Sequence, residues 1–146
     1  VDRFRSYKSD WEKLYKEGYI IVADRYTTSN GVHQCSKLPK EQWNDFMDWL
    51  YDFEYRKMGI PAPDGVIYLN MSPEVSQKLL SARYAGDESK KDIHEKDTEY
   101  LKKSQSAARF CSEHDKWNVI NCDDGEKPFT IEEIHEKIIK KVMGII

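Results

Sequence analysis

The sequence predicts an α/β fold, a three-layer sandwich in which helices cover a parallel sheet. Three observations point there. Short β-branched runs at residues 19–23, 66–69 and 118–120 alternate with amphipathic helical stretches, the order that builds parallel sheets. The first run, Tyr19-Ile20-Ile21-Val22-Ala23, carries no charge, as suits a strand buried on both faces. Only two residues separate the second run from a helix start at Ser72-Pro73-Glu74, a spacing that βα loops prefer.

Taken in order, Phe4, Tyr7, Trp11, Leu14 and Tyr15 recur at helical spacing, and Gly18 is placed as a C-terminal stop. The chain thus opens inside a helix, which predicts further chain upstream. Residues 27–39 show no clean period and read as a functional loop or an irregular helix start. From Pro39, Trp43, Phe46, Met47, Leu50 and Phe53 mark a long helix ending near Gly59, with its aromatic stripe in the core. The breaker cluster 61–65 leads into the second strand. Ser72, Pro73 and Glu74 supply a cap, a first-turn proline and an acid against the helix dipole, and this helix runs to about Arg83. Residues 84–91 mix charges around Gly86 and read as a mobile, solvated loop. Ile93, Tyr100, Leu101, Ala107, Ala108 and Cys111 define a third long helix. After the third strand, Asp123-Asp124-Gly125 turns the chain. Thr130 and Glu133 form a capping box, with Phe129 and Ile134 as its hydrophobic staple. Ile131, Ile134, Ile138 and Val142 are the expected buried face of the closing helix.

The 146 residues suffice for one domain with a real core. A net charge of −3 gives no basic surplus, against binding nucleic acid or anionic membrane through bulk charge. No apolar run approaches the roughly 20 residues that span a bilayer. Three cysteines without a C-x-x-C pair indicate a reducing, cytoplasmic setting, with Cys111 and Cys122 as buried thiols. His33 and Cys35 make half a metal site without a second pair, against zinc. His94, His114 and His135 read as surface or helix-face residues.

The chemistry gathers at the end of the first run. Ligands of open α/β sheets bind beyond the carboxyl ends of strands, where Asp24 and Arg25 fall. A carboxylate can hold a metal-bound water, and a guanidinium grips phosphate through paired hydrogen bonds. Read alone, Asp24 and Arg25 are equally a strand-end ion pair. Arg3 alone reads as a surface arginine, Lys90 and Lys91 as solvated loop residues, and Asp92 and Glu95 as acids at a helix start.

Three landmarks in sequence carry a resemblance. They are Asp24-Arg25-Tyr26 followed by Ser29-Asn30; Pro63-Asp64 before Val66-Ile67-Tyr68-Leu69 and Ser72-Pro73-Glu74-Val75; and Arg83, a charged glycine-containing loop and Asp92-Ile93-His94-Glu95. Together they resemble thymidylate kinase, a family of P-loop nucleoside monophosphate kinases, from residue 1 to the end. The resemblance implies a single P-loop kinase-like domain, here without its first two β-α units, which would need about 60 residues. It implies transfer of the γ-phosphoryl group of ATP to dTMP, giving dTDP for dTTP synthesis, with Mg2+, in a cytoplasmic homodimer to which the helix 40–58 could contribute.

Residue by residue, the resemblance implies that Arg25 grips the dTMP phosphate and that Asp24 holds Mg2+ through water. Arg3 falls where the family aims another arginine at that phosphate. Ser29 and Asn30 match nucleoside-pocket positions, Asn30 facing the thymine edge. His33-Gln34 matches an aromatic followed by Gln, and His33 departs from that pattern. Loop 83–92 matches the lid, with Arg83, Lys90 and Lys91 bringing charge to the transferring group, and Asp92 and Glu95 match its closing Asp-x-x-Glu. Phosphoryl transfer asks mainly for such positioning and charge neutralisation, and lid closure excludes water.

No G-x-x-x-x-G-K-[ST] motif, whose backbone N–H groups and lysine cradle donor phosphates, occurs in these residues. The expected role is therefore as part of a complete kinase, the chain being inactive alone. Two alternatives stay open: a catalytically inactive nucleotide-binding or self-associating module, and a related deoxynucleoside kinase. Arg3 and Arg25 favour a phosphorylated acceptor over a nucleoside.

Overall fold

The computed structural model describes residues 1–83 and 98–146. They form two compact units, Val1–Ala62 and Pro63–Ile146. The fold is α/β with a small parallel sheet of two strands.

The first unit is helical. Helix α1 covers residues 2–16 and contains a π-helical stretch, Tyr7–Trp11. Glu12 sits between Lys8 (2.6 Å) and Lys16 (2.9 Å), both one turn away on its outer face. Gly18 ends the helix at φ 86°, and the next two N–H groups fold back, Gly18 to the Tyr15 carbonyl and Tyr19 to Leu14. Only Tyr7 of the expected apolar face is fully buried; Leu14 and Tyr15 are exposed.

The first expected strand does not form. Residues 19–23 carry no regular secondary structure, with Tyr19, Ile20 and Val22 exposed. A strand needs a neighbour for its backbone N–H and C=O groups, and among the described residues none pairs with it.

Thr27–Cys35 is helix α2, resolving the irregular region in favour of a helix. Its inner face, Thr27, Gly31 and Cys35, is buried and packs on α3. Helix α3, Trp43–Tyr51, follows a 3-10 turn over Lys40–Gln42 and continues as a π-helical stretch, Asp52–Lys57. Trp43, Met47 and Leu50 are buried as expected. Phe53 instead stacks on the exposed Trp49, 5.6 Å between centroids.

In the second unit, β1 (Ile67–Asn70) and β2 (Asn118–Asn121) run parallel, with Tyr68 opposite Val119 and Leu69 opposite Ile120. Both match the expected strands to within a residue or two. A two-stranded sheet is too narrow to be covered throughout: Ile120 is buried, but Leu69 and Val119 are exposed, unlike strands sealed on both faces. Helix α4 (Pro73–Arg83) buries Val75, and α5 (Thr98–His114) buries Ala107, Ala108 and Cys111. Asp123 accepts from the Ser72 backbone N–H at 2.6 Å, which holds its carboxyl below the usual range. This bond joins the chain after β2 to the start of α4. Helix α6 (Ile131–Val142) carries the expected capping box between Thr130 and Glu133. Its expected buried face is corrected: Ile131 is exposed, and Ile134, Ile138 and Val142 are half-buried.

Two losses of stability follow. Met47→Ala, at a fully buried position, should cost about 2–5 kcal/mol. Thr130→Ala should cost about 1 kcal/mol through its lost cap. Urea denaturation monitored by tryptophan fluorescence and far-UV circular dichroism measures both.

Candidate nucleotide site

The first unit collects Arg3, Tyr26, Asn30 and Glu54 around one guanidinium. Arg3 sits in the first turn of α1. Its Nη1 donates to Glu54 Oε1, and its Nη2 donates to Asn30 Oδ1 at 3.2 Å. The Tyr26 ring lies 5.5 Å from its Cζ, within cation–π range. The Tyr26 hydroxyl donates to the Pro61 carbonyl at 2.9 Å, and its ring meets Trp11 edge-on at 6.3 Å. The cluster therefore gathers α1, the start of α2, the π-helical stretch after α3 and the chain beyond it.

Glu54 is the member that the sequence reading passed over. Trp43, Met47, Leu50 and Glu54 follow one another at spacings of four, three and four, and all are buried. An acid in the core stripe of an amphipathic helix was the available signal, because a buried carboxylate calls for a partner.

Asp24 and Arg25 behave differently. Both are exposed, and neither forms a hydrogen bond or ion pair among the described residues; the strand-end pair between them is not made. Arg25 stands at φ 67°, in the left-handed region. That conformation costs a non-glycine residue about 1–3 kcal/mol and tends to collect at functional sites. Asp24 and Arg25, three and two residues before α2, thus stay uncompensated among the described residues, whereas Arg3 is compensated by a buried acid.

Ser29 is half-buried in the first turn of α2, its N–H donating to the Tyr26 carbonyl at 3.1 Å. His33 is half-buried and Gln34 exposed on the same helix. Arg83 is the last, exposed residue of α4 in the other unit. Lys90, Lys91, Asp92 and Glu95 lie outside the described residues. The structure brings Arg3 and Asn30 together and joins neither to Asp24 nor to Arg25.

No group of three or more His, Cys, Asp or Glu side chains fit to cage a metal occurs among the described residues. A lone exposed carboxylate such as Asp24 suits Mg2+, which keeps several waters and takes one or two carboxylates beside substrate phosphates.

Comparison with known proteins places the chain in a family. A family profile described as thymidylate kinase matches residues 1–138; the chain belongs to the thymidylate kinase family. Thymidylate kinase of Dictyostelium discoideum is 31% identical over 126 residues, 86% of this chain and 47% of that protein. Thymidylate kinase of Mycobacterium tuberculosis (strain CDC 1551 / Oshkosh) is 24% identical over 111 residues, 73% of this chain and 52% of that protein. The chain thus spans about half the length of these curated relatives. No solved structure matches it, and no helix among the described residues is long and apolar enough to cross a membrane.

Burial, with the neighbouring Tyr55 next in effect, pushes the Tyr26 phenol from 10.0 up to about 12. The folded chain therefore holds that proton more tightly than the unfolded chain. The resulting stability is complete below pH 10 and is lost as pH climbs towards about 12. Tyr26→Phe should flatten this part of the alkaline loss, while costing about 1 kcal/mol near neutrality through the bond to Pro61. Urea midpoints measured from pH 7 to pH 12, about the span of the phenol's titration, check both effects.

Proposed function

We propose that this chain is the acceptor-binding and lid-bearing part of a thymidylate kinase that phosphorylates dTMP to dTDP with ATP and Mg2+. The observation that carries the reading is Arg25: an exposed guanidinium, unpaired among the described residues, in strained backbone, beside Asp24 in a chain of this family. In this reading Arg25 grips the phosphate of dTMP. Arg3 would aim at the same phosphate, and Ser29, Asn30, His33 and Gln34 would line the nucleoside pocket. Asp24 would hold Mg2+ through water, and the bound ion would offset phosphate charge. Arg83, Lys90 and Lys91 would serve the lid, with Asp92 and Glu95 closing it.

The two-stranded sheet would then be part of the wider parallel sheet of a three-layer, P-loop kinase-like sandwich. Both units would belong to one domain. Donor phosphates would be cradled by a P-loop lying outside these residues. The reading also carries a cytoplasmic homodimer.

A second reading has one observation in its favour. Tyr19, Ile20 and Val22 present an exposed apolar segment, which suits a self-associating, catalytically inactive nucleotide binder. A deoxynucleoside kinase is disfavoured by the cationic Arg25 at the acceptor end.

Intact mass and turnover on one purified sample separate these readings. The proposal expects a mass above 17.2 kDa, ATP-dependent dTDP formation from dTMP and no phosphorylation of thymidine. A 17.2 kDa protein that binds dTMP without turnover favours the inactive binder, and one that binds no dTMP overturns both. In the active protein, Arg25→Ala should weaken dTMP binding about 10- to 100-fold, the worth of a charge-assisted contact, as read by calorimetric titration.

A further inference from the structure

We propose that Asp123 is a positioning residue: from the turn after β2 it caps the start of α4 and so fixes where Arg83, the last residue of that helix, stands. The inference rests on the kinase reading above, in which Arg83 brings charge to the transferring phosphoryl group, and adds to it how that charge is aimed. Asp123 Oδ2 accepts from the Ser72 N–H at 2.6 Å, a short, charge-assisted bond to the residue just before the first turn. The carboxylate thereby also stands at the positive end of the helix dipole.

The turn that presents Asp123 is itself closed. Gly125 N–H donates to Asp123 Oδ1 at 2.8 Å, and Asp124 Oδ1 accepts from the N–H groups of Glu126 and Lys127 at 2.9 Å each. Phe129 N–H reaches the Cys122 carbonyl at 2.8 Å. Apolar burial holds α4 only lightly: Val75 is its buried side chain, whereas Leu79 is exposed. Farther along the helix, Lys78 Nζ donates to the Glu126 carbonyl at 3.3 Å, a second tie to the same turn. A helix of this length spans about 16 Å, so a tilt of about 10° at its start would carry Arg83 about 3 Å. A misplacement of about 1 Å can already cost about 100-fold in rate. Asp123 touches neither nucleotide in this scheme. Its loss falls on turnover, through Arg83, and spares acceptor binding by the residues of the first unit.

The test measures kcat for dTDP formation at saturating ATP and dTMP, and dTMP affinity by calorimetric titration, in the intact natural protein. The variants are Asp123→Ala, Asp123→Ser and Asp123→Asn, with the first two repeated alongside Arg83→Gln. Serine can still bond the Gly125 N–H and keep the turn folded, but is too short to reach Ser72. Asp123→Ala and Asp123→Ser should each lower kcat about tenfold or more and leave dTMP affinity within about twofold. Asp123→Asn, which keeps an acceptor for the Ser72 N–H, should recover most of the loss. With Arg83→Gln in place, neither change should lower kcat further, because the group that Asp123 positions is gone. A merely structural role would lower kcat by the same factor in both backgrounds. Equal factors, a natural kcat in Asp123→Ser, or a matching loss of dTMP affinity overturns the inference and leaves the kinase reading intact. A natural protein that forms no dTDP overturns both.

Discussion

A strand exists only where its backbone finds a neighbour, and this constraint orders the whole structure. Residues 19–23 have the strongest β composition in the chain, yet form no strand. Asn118–Asn121, with asparagine at either end, does form one. The difference is pairing: β2 runs beside β1, and the ladder continues through Asn118 N–H to Val66 and Cys122 N–H to Asn70. Side chains reinforce the register at the strand ends, where Asn70 Nδ2 donates to Asn121 Oδ1 at 3.0 Å. Intrinsic preference for extended structure is weak beside the need to satisfy N–H and C=O groups.

The same contrast explains what could be read from the sequence. Features fixed by local chemistry were legible. Gly18 stops a helix because its positive φ lets the last carbonyls be reached, and Gly59, at φ 71°, sits past the end of another. Thr130 and Glu133 satisfy each other's backbone donors within one turn. Features decided at a distance were not. Thr27-Thr28-Ser29-Asn30-Gly31 is poor helix-forming sequence, and α2 forms where one face packs on α3. The π-helical stretches left no recognisable period. Glu54 was visible as an acid in an apolar stripe, but its partner, 51 residues away, was not.

The two arginines expected to share an acceptor phosphate have unlike surroundings. Arg3 is compensated by a carboxylate, an amide and an aromatic face, whereas Arg25 has no such partner among the described residues. A guanidinium already satisfied by protein gains less from an incoming phosphate than one exposed to water. The family resemblance located both residues, and the structure distinguishes their electrostatic states. In the proposed reading, such a division would let Arg25 capture the anion while Arg3 holds neighbouring polar groups in register.

The three cysteines, all buried, have a consequence for how this protein opens. A thiol reagent reacts with the solvent-exposed thiolate, so each sulfur is silent until its surroundings part. Cys35 lies in the first unit, and Cys111 and Cys122 lie in the second. Alkylation rates at these positions therefore act as separate clocks, one for each half of the chain. They make local opening measurable without an introduced label, on the natural sequence.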